Sequence, residues 1–491
     1  MKKKRIFFRT DSSDEIGYGH LVRSIALASM LKDVFSCFLA TRFANKLIDS
    51  DNGDVFEKVI MLNAENAFDE FLELILEGDI VVLDNYFFND NHEKVIKNKN
   101  ANVICIDDLN NRIYNADIVI NHSPSALKLN YETNSNSKLL LGLDYLLLRP
   151  AFFAFPNEKI SRNVENPTLF ICLGGASLPQ LNINLIESVL QLNLNIEAIN
   201  LVVGSGTFED NNFKQFIEKN SRFKINIFKN IDDFQVVKLI MESDIGIVSG
   251  GGVLFECLSL SLPVICGKII DNQNNNYNYV AENKLANVVG DFNTCSLTEK
   301  DFKFNKIDEL ESFIDLNSDK RLRAEIINRF YNIQEVFKLQ LVDNNDLRIL
   351  FDWANDSLSR KNSINQQVIN FDDHISWFKK QTSQDDFNFY ILKIFDSIAV
   401  GMIRFDEMAN NEYLLNYSID KYYRGFGIGK IIVKKGLDFL KKRTKNKGVK
   451  IVAYVKQSNV PSIKIFKKLS FVDMGLENVK NVNLIRFELT L

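Results

Sequence analysis

From Lys4 to about Tyr145, short apolar runs alternate with stretches in which apolar residues recur every three or four positions: RIFFR, SIALASMLKD, CFLAT, AFDEFLELILEG, DIVVLDNY, NVICIDD and ADIVINH. Runs such as DIVVLD are apolar without interruption, the pattern of parallel strands covered by helices on both faces, and predict a doubly wound α/β lobe. The segment LLLRPAFFAFPNEKISRNVENPT then carries three of the seven prolines and breaks the rhythm, as an interdomain connector does. Alternation resumes with LFICLGGAS, INLVVGSG, INIFKNI, DIGIVSGGG and LPVICGK and closes on one charged helical stretch, SDKRLRAEIINRFYNIQEVFKL, predicting a second lobe of similar kind. After LVDNNDLRIL come helices, then strands of antiparallel texture (NFYILKIF, IAVGMIRF, EYLLNYSID) and an amphipathic helix behind RGFGIGK. The predicted domains are residues 1–155, 156–340 and 341–491.

Composition narrows the function classes. A chain of 491 residues exceeds one hydrophobic core, and 46% hydrophobic with 25% charged residues describes a folded globular protein. A net charge of -4 and a pI near 5.8 give no global reason to bind nucleic acid or an anionic membrane, so any phosphate must be gripped locally. The six cysteines are scattered without a C-x-x-C pair, and read as buried thiols of a reducing compartment rather than zinc ligands. The apolar stretch in MKKKRIFFRTD is too short for a signal peptide and no run is long enough to span a bilayer, so a cytoplasmic protein is expected. The oligomeric state is left open.

Three glycine-rich turns carry the candidate chemistry. In the first, RIFFR delivers Arg9 and Asp11 to the carboxyl edge of the sheet, where open α/β sheets bind ligands. Gly17 and Gly19 allow close backbone approach, and His20 opens the following helix, whose positive end disfavours the imidazolium and leaves a ring suited to accept a proton. Arg23 lies one turn on and faces the same side. A histidine that merely caps its helix is the competing reading.

In the second lobe, DIGIVSGGGVLFECLSLSLPVIC reads strand, three glycines, helix, proline, strand. Gly250, Gly251 and Gly252 suit a diphosphate at a helix start, and Glu256 is placed to accept from ribose hydroxyls. LGGAS, with Gly174 and Gly175, and VVGSG add two more glycine turns, together suggesting a nucleotide face. Glycines serving only tight packing are the alternative. Neither G-x-x-x-x-G-K-[ST] nor G-x-G-x-x-G occurs in these turns, which argues against a P-loop kinase or a dinucleotide dehydrogenase.

The spacing from Gly250 to Glu256, with Asp271, Asn272 and Gln273 downstream, resembles two-lobed sugar-nucleotide enzymes of the glycosyltransferase B type. FRTDSSDEIGYGHLVRSIALA, VVLDNY, CIDD, CLGGAS, SGGGVLFECLSLSLPVI and NQ, in this order over residues 4 to 335, resemble the UDP-sugar hydrolases of pseudaminic acid biosynthesis, a nonulosonic acid of flagellin and surface glycosylation. The resemblance implies two Rossmann-like lobes and hydrolysis of UDP-2,4-diacetamido-2,4,6-trideoxy-β-L-altropyranose, with His20 as the base that activates water, inversion at the anomeric carbon and no metal. Asp11, Asp84, Asn85 and Tyr86 are candidates for positioning the sugar, although Asp84 and Asp108 equally suit strand-end caps.

In the third domain, YLLNYSIDKYYRGFGIGKIIVKKGLDFL places Arg424, Gly425, Gly427, Ile428, Gly429 and Lys430 between a strand ending at Ile419 and a long helix. Arg-x-x-Gly-x-Gly, with the later Asn459 and Ser462, resembles the acetyl-CoA site of GCN5-related N-acetyltransferases, an α+β fold, and covers about residues 343 to 491. The resemblance implies acetyl-CoA as cosubstrate and a UDP-4-amino sugar as acceptor. Phe466 stands where many members carry the tyrosine that protonates the leaving thiolate; Tyr454 or water is the substitute, with Glu412 and His374 as candidate bases, or else as an exposed carboxylate and a loop histidine. Expected together is a bifunctional enzyme; the alternatives are a glycosyltransferase joined to an acetyltransferase, or a binding module with one degraded site.

Overall fold

The computed structural model describes residues 2–13, 17–43, 55–134, 136–155, 162–163, 165–220, 223–304, 313–383, 387–409, 411–444 and 448–491. The chain divides into two compact units, Lys2–Arg323 and Ala324–Leu491. Among the described residues no helix is long and apolar enough to cross a membrane.

The first unit contains two parallel sheets. In the amino-terminal lobe β1 (Lys4–Thr10), β2 (Phe35–Thr41), β3 (Lys58–Met61), β4 (Ile80–Asp84), β5 (Asn102–Ile106), β6 (Ile118–Asn121) and β7 (Lys138–Leu141) lie in the order β3-β2-β1-β4-β5-β6-β7. All pairs are parallel, and β4 is buried at every position, as its unbroken apolar run requires. The order reverses between β1 and β4, so their carboxyl ends diverge into a crevice at that point. The helix Gly19–Leu31, whose Leu21, Ile25 and Ala28 are buried, starts above this crevice and so aims its amino-terminal N–H groups at it.

The second lobe repeats the plan with β8 (Thr168–Cys172), β9 (Ala198–Val202), β10 (Lys224–Phe228), β11 (Ile245–Ser249), β12 (Val264–Lys268) and β13 (Asn287–Asp291) in the order β10-β9-β8-β11-β12-β13. Its reversal lies between β8 and β11, where the LGGAS and SGGG turns emerge.

The second unit is one mixed sheet: β14 (Phe337–Leu341), β15 (Asn388–Ile394), β16 (Ile398–Ala409), β17 (Glu412–Ile419), β18 (Lys450–Val455), β20 (Val482–Thr490) and β19 (Val472–Val479), in that spatial order. The parallel β17–β18 pair is in register only from Glu412–Leu414 to Lys450–Val452, and beyond that the two strands separate.

Both predicted boundaries move. Leu146, Leu148, Ala151 and Phe152 sit in a core cluster of the second lobe, so the chain enters that core before residue 155. The boundary at 340 falls inside β14, whose Phe337 and Leu339 are buried and which pairs with β15. Nor is SDKRLRAEIINRFYNIQEVFKL one helix: it divides into helices Ser318–Phe330 and Ile333–Val336 followed by β14, because Asn332 caps a new start by accepting from the Gln334 N–H. Part of the proline-containing connector, residues 156–161 and 164, lies outside the described residues.

Candidate functional site

At the first crevice the structure assembles a buried charged network. His20 Nδ1 lies 2.7 Å from Asp84 Oδ1, at the end of β4. Arg23 forks onto the same carboxylate, Nε to Oδ2 at 2.8 Å and Nη2 to Oδ1 at 2.6 Å, and Ser24 adds a hydroxyl donor. Its remaining Nη1 donates to Asp108 Oδ1. This fork is possible because His20, Arg23 and Ser24 fall within a little over one turn of a single helix. Nδ1 faces one acceptor and one donor, Arg23 Nη2 at 3.0 Å. With its proton on Nδ1 the ring donates to Asp84 and carries its lone pair on Nε2, the tautomer of a base.

Tyr86 closes the group: its ring meets His20 edge-on at 4.7 Å between centroids and its hydroxyl donates to Asp108 Oδ2 at 2.8 Å. Burial would raise both aspartates, but Arg23, with His20 assisting at Asp84, outweighs it and holds Asp84 below its usual range and Asp108 at about 2. Burial first, then the Asp108 charge, push the Tyr86 hydroxyl upward, so it remains a proton donor.

Neither Asp84 nor Asp108 is a strand-end cap; both are partners of the His20–Arg23 pair. Arg23 is largely buried and spent on these carboxylates, so it shapes the site rather than reaching across it. Arg9 and Asp11 are likewise buried and paired at 2.7 Å, and Asp11 also accepts from Thr41 Oγ1, the Arg42 N–H and Arg42 Nε. Asn85 donates to the Asp11 carbonyl at 3.3 Å. Gly17 has φ +84°, and the helix that begins at Gly19 has no side-chain cap, leaving its first N–H groups unclaimed by a cap.

The second lobe meets this network through uncharged groups. Asn272 Nδ2 donates to the Tyr86 hydroxyl at 3.1 Å, and Ser123 donates to Asn276 Oδ1, whose Nδ2 holds the Gly250 carbonyl at 3.0 Å. Gly251 and Gly252 begin the helix Gly252–Ser259, with no side-chain cap and open space where a Cβ of Gly252 would stand. Gly174 has φ +103°, and a Cβ on Gly175 would lie 2.8 Å from Tyr18 Cδ2, so that glycine admits a ring from the other lobe. Gln273 Oε1 accepts from the Ile269 N–H and steadies the turn facing Gly250. The VVGSG turn departs from the expected nucleotide face: a Cβ on Gly204 would lie 2.5 Å from the Gly175 carbonyl oxygen, so it nests under the LGGAS turn. Glu256 is held bidentately by Arg149, Nε at 2.8 Å and Nη2 at 2.7 Å, a connector partner that sequence spacing does not reveal.

In the third domain Gly425 (φ +89°) and Gly427 (φ +79°) take left-handed conformations that L side chains disfavour, and Gly427 caps the helix Ile428–Arg443. Space is open where either Cβ would stand, and Lys430 is exposed beside them, so the loop presents backbone N–H groups as a pyrophosphate requires. Ile428 is buried, and Gly429 is needed for packing, since its Cβ would lie 2.6 Å from Ile465 Cδ1. Arg424 turns away from the loop, Nε to the Ile419 carbonyl at 3.0 Å and Nη2 to Asp356 at 2.6 Å. Asn459 caps the helix Val460–Lys468 by accepting from the Ser462 N–H, and Ser462 pairs with the Tyr417 hydroxyl at 2.8 Å. These residues fit acetyl-CoA, whose thioester would supply the acyl group.

Three expectations change here. Phe466 is 2% exposed and stacks on Phe487 at 5.5 Å, making it core. The Tyr454 hydroxyl donates to Glu477, and Glu412 is engaged by Arg486, so both belong to a charged lattice on the sheet. His374 lies buried in the helix Phe371–Thr382 against Phe351 and Trp377, not in a loop.

Comparisons with known proteins fall on the same two regions. Residues 337–472 match the acetyltransferase (GNAT) domain model. An uncharacterised protein of Methanocaldococcus jannaschii is 25% identical over 98% of this chain and 100% of its own length. The UDP-2,4-diacetamido-2,4,6-trideoxy-β-L-altropyranose hydrolase of Campylobacter jejuni is 26% identical over 57% of this chain and 96% of its own. Among solved structures, a spermidine N-acetyltransferase from Vibrio cholerae, crystallised with CoA and spermine, is 15% identical over 32% of this chain and 96% of its own, with a TM-score of 0.29. The chain is a fusion of a region similar to that UDP-sugar hydrolase, built on two Rossmann-like lobes, with a carboxyl-terminal acetyltransferase (GNAT) domain.

Proposed function

We infer that the chain carries two successive reactions on one amino sugar: acetyl-CoA-dependent acetylation of the 4-amino group of a UDP-linked 2-acetamido-4-amino-4,6-dideoxy sugar, and hydrolysis of the resulting UDP-2,4-diacetamido sugar. The observation that carries the second step is the 2.7 Å contact of His20 Nδ1 with the buried Asp84, where the β1–β4 ends diverge. Asp84 accepts the Nδ1 proton and orients the ring, and Nε2 takes a proton from water as its oxygen attacks the anomeric carbon. The anomeric C–O bond breaks and its electron pair leaves with the UDP phosphate. The glycine turn at Gly251 and Gly252 and the helix behind it stabilise that charge with backbone N–H groups. Attack opposite the departing UDP inverts the anomeric centre.

In the acetylation the acceptor nitrogen attacks the thioester carbonyl, the C–S bond breaks, and the sulfur leaves as CoA thiol with the proton surrendered by the amine. Gly425, Gly427 and Lys430 hold the pyrophosphate in this reading, and the separated β17–β18 strands receive the pantetheine arm. The test is a single-pot assay of the native chain with acetyl-CoA and the UDP-4-amino sugar, following CoA, UDP and sugar by mass spectrometry. Release of CoA and then of UDP with the free diacetamido sugar supports the reading. CoA release without UDP overturns the hydrolase, and a glycoside in place of free sugar identifies a glycosyltransferase.

A further inference from the structure

The charged network leaves one imidazole unused. His122 follows β6, and in the parallel register Ile106 pairs with Ile120, so Asp108 and His122 both stand two residues beyond paired positions of adjacent strands. Its neighbours are fixed on both sides. Asn121 donates to Asp107 and to the Tyr131 hydroxyl and accepts from the Ser123 N–H, while Ser123 reaches Asn276 of the second lobe. His122 is therefore held at the seam where the lobes meet, and the charges it senses are those of Arg23, Asp108 and Asp84.

The ring is partly exposed, yet its Nδ1 is sealed from solvent with no hydrogen-bond partner. A proton on Nδ1 would be an orphaned buried donor, which folded proteins avoid more strictly than an unfilled lone pair. In the neutral ring the proton therefore belongs on Nε2, which makes the accessible edge of His122 a hydrogen-bond donor. Burial first, and then the positive charge of Arg23, bring this imidazole down to about 4, so it stays uncharged at neutral pH and is no acid for the leaving phosphate.

We propose that His122 contacts the sugar of the bound nucleotide sugar, its Nε2–H donating to an uncharged acceptor such as a hydroxyl or acetamido carbonyl oxygen, and thereby fixes the sugar relative to His20. An uncharged donor next to the Asp108 carboxylate suits a neutral oxygen better than a diphosphate, which is served by the glycine turn. The proposal rests on the hydrolase reading and adds a residue that discriminates the sugar.

The experiment compares native protein with His122→Phe and His122→Gln, measuring kcat and KM for the UDP-2,4-diacetamido sugar and the inhibition constant of UDP alone. Loss of one hydrogen bond to a neutral acceptor predicts that His122→Phe raises KM about tenfold. His122→Gln, which keeps a donor, stays near native, and UDP inhibition is unchanged in both, which also reports that the fold is intact. An unchanged KM in His122→Phe, or UDP inhibition weakening in step with KM, overturns the sugar contact. If native protein binds the sugar nucleotide without releasing UDP, the hydrolase reading fails by itself. The affinity difference between sugar nucleotide and UDP, read by calorimetry across the variants, then still decides the His122 contact.

Discussion

His20 and Asp84 divide one task, since the histidine exchanges the proton and the aspartate fixes which nitrogen holds it. Asp84→Asn retains the shape but replaces an acceptor by an amide able to donate, which favours the wrong tautomer. Its kcat for UDP release should fall by about 10²-fold or more with little change in KM, and His20→Ala should fall by about 10²–10⁴-fold, both read as UDP formed per enzyme. Neighbouring groups respond to acid differently. Asp108, at about 2 when folded against about 3.9 when unfolded, contributes stability that is complete above about pH 4 and lost as pH falls through 2. His122 has the opposite relation to charge: the unfolded chain takes up a proton below about pH 6.5 that the folded ring refuses until about 4. Stability of the first unit should therefore decline between pH 6.5 and 4, and His122→Gln should remove part of that decline in thermal melts made across this range.

Among the elements, the turns divide into those that admit a ligand and those that admit only their neighbours. Gly427 is of the first kind, with φ +79° and open space at its Cβ position. Gly427→Val imposes roughly 1–2 kcal/mol of left-handed strain and covers backbone N–H groups. The expected result is a KM for acetyl-CoA raised by about tenfold or more with UDP release untouched, checked by CoA formation and calorimetric CoA binding. Gly204 is of the second kind, and the sequence alone does not separate the two, because both appear as glycine after a strand. What was legible was what periodicity carries: the unbroken run of β4, the alternation of β15 to β17, and the helix opened by Gly19 and His20. What was not legible depends on distant partners. Asp84 lies 64 positions from His20 and Glu256 lies 107 from Arg149, so their carboxylates read locally as a strand end and as a ribose ligand. β14 was missed because FKLQL is too short to declare itself until its pairing with β15 is seen.

For the whole molecule, the two chemistries sit on separate sheets in separate compact units, each with its own glycine turns. Full-length His20→Ala and full-length Gly427→Val are thus expected to complement when mixed: the first supplies the acetylated UDP sugar and the second hydrolyses it. Recovery of UDP and free diacetamido sugar in the mixture, absent from either variant alone, is the measurement; no recovery would mean that the intermediate is not released. Within the first unit, the two lobes touch through asparagine, serine and tyrosine side chains, with Lys128–Glu282 an exposed ion pair at the rim. Links of that kind are weakened by molecules that compete for hydrogen bonds and are nearly indifferent to dissolved ions. The cleft should accordingly open on addition of mild urea and hold its width across a salt gradient, so that the rate of nucleotide entry is set by the amide chemistry of the solvent rather than by ionic strength.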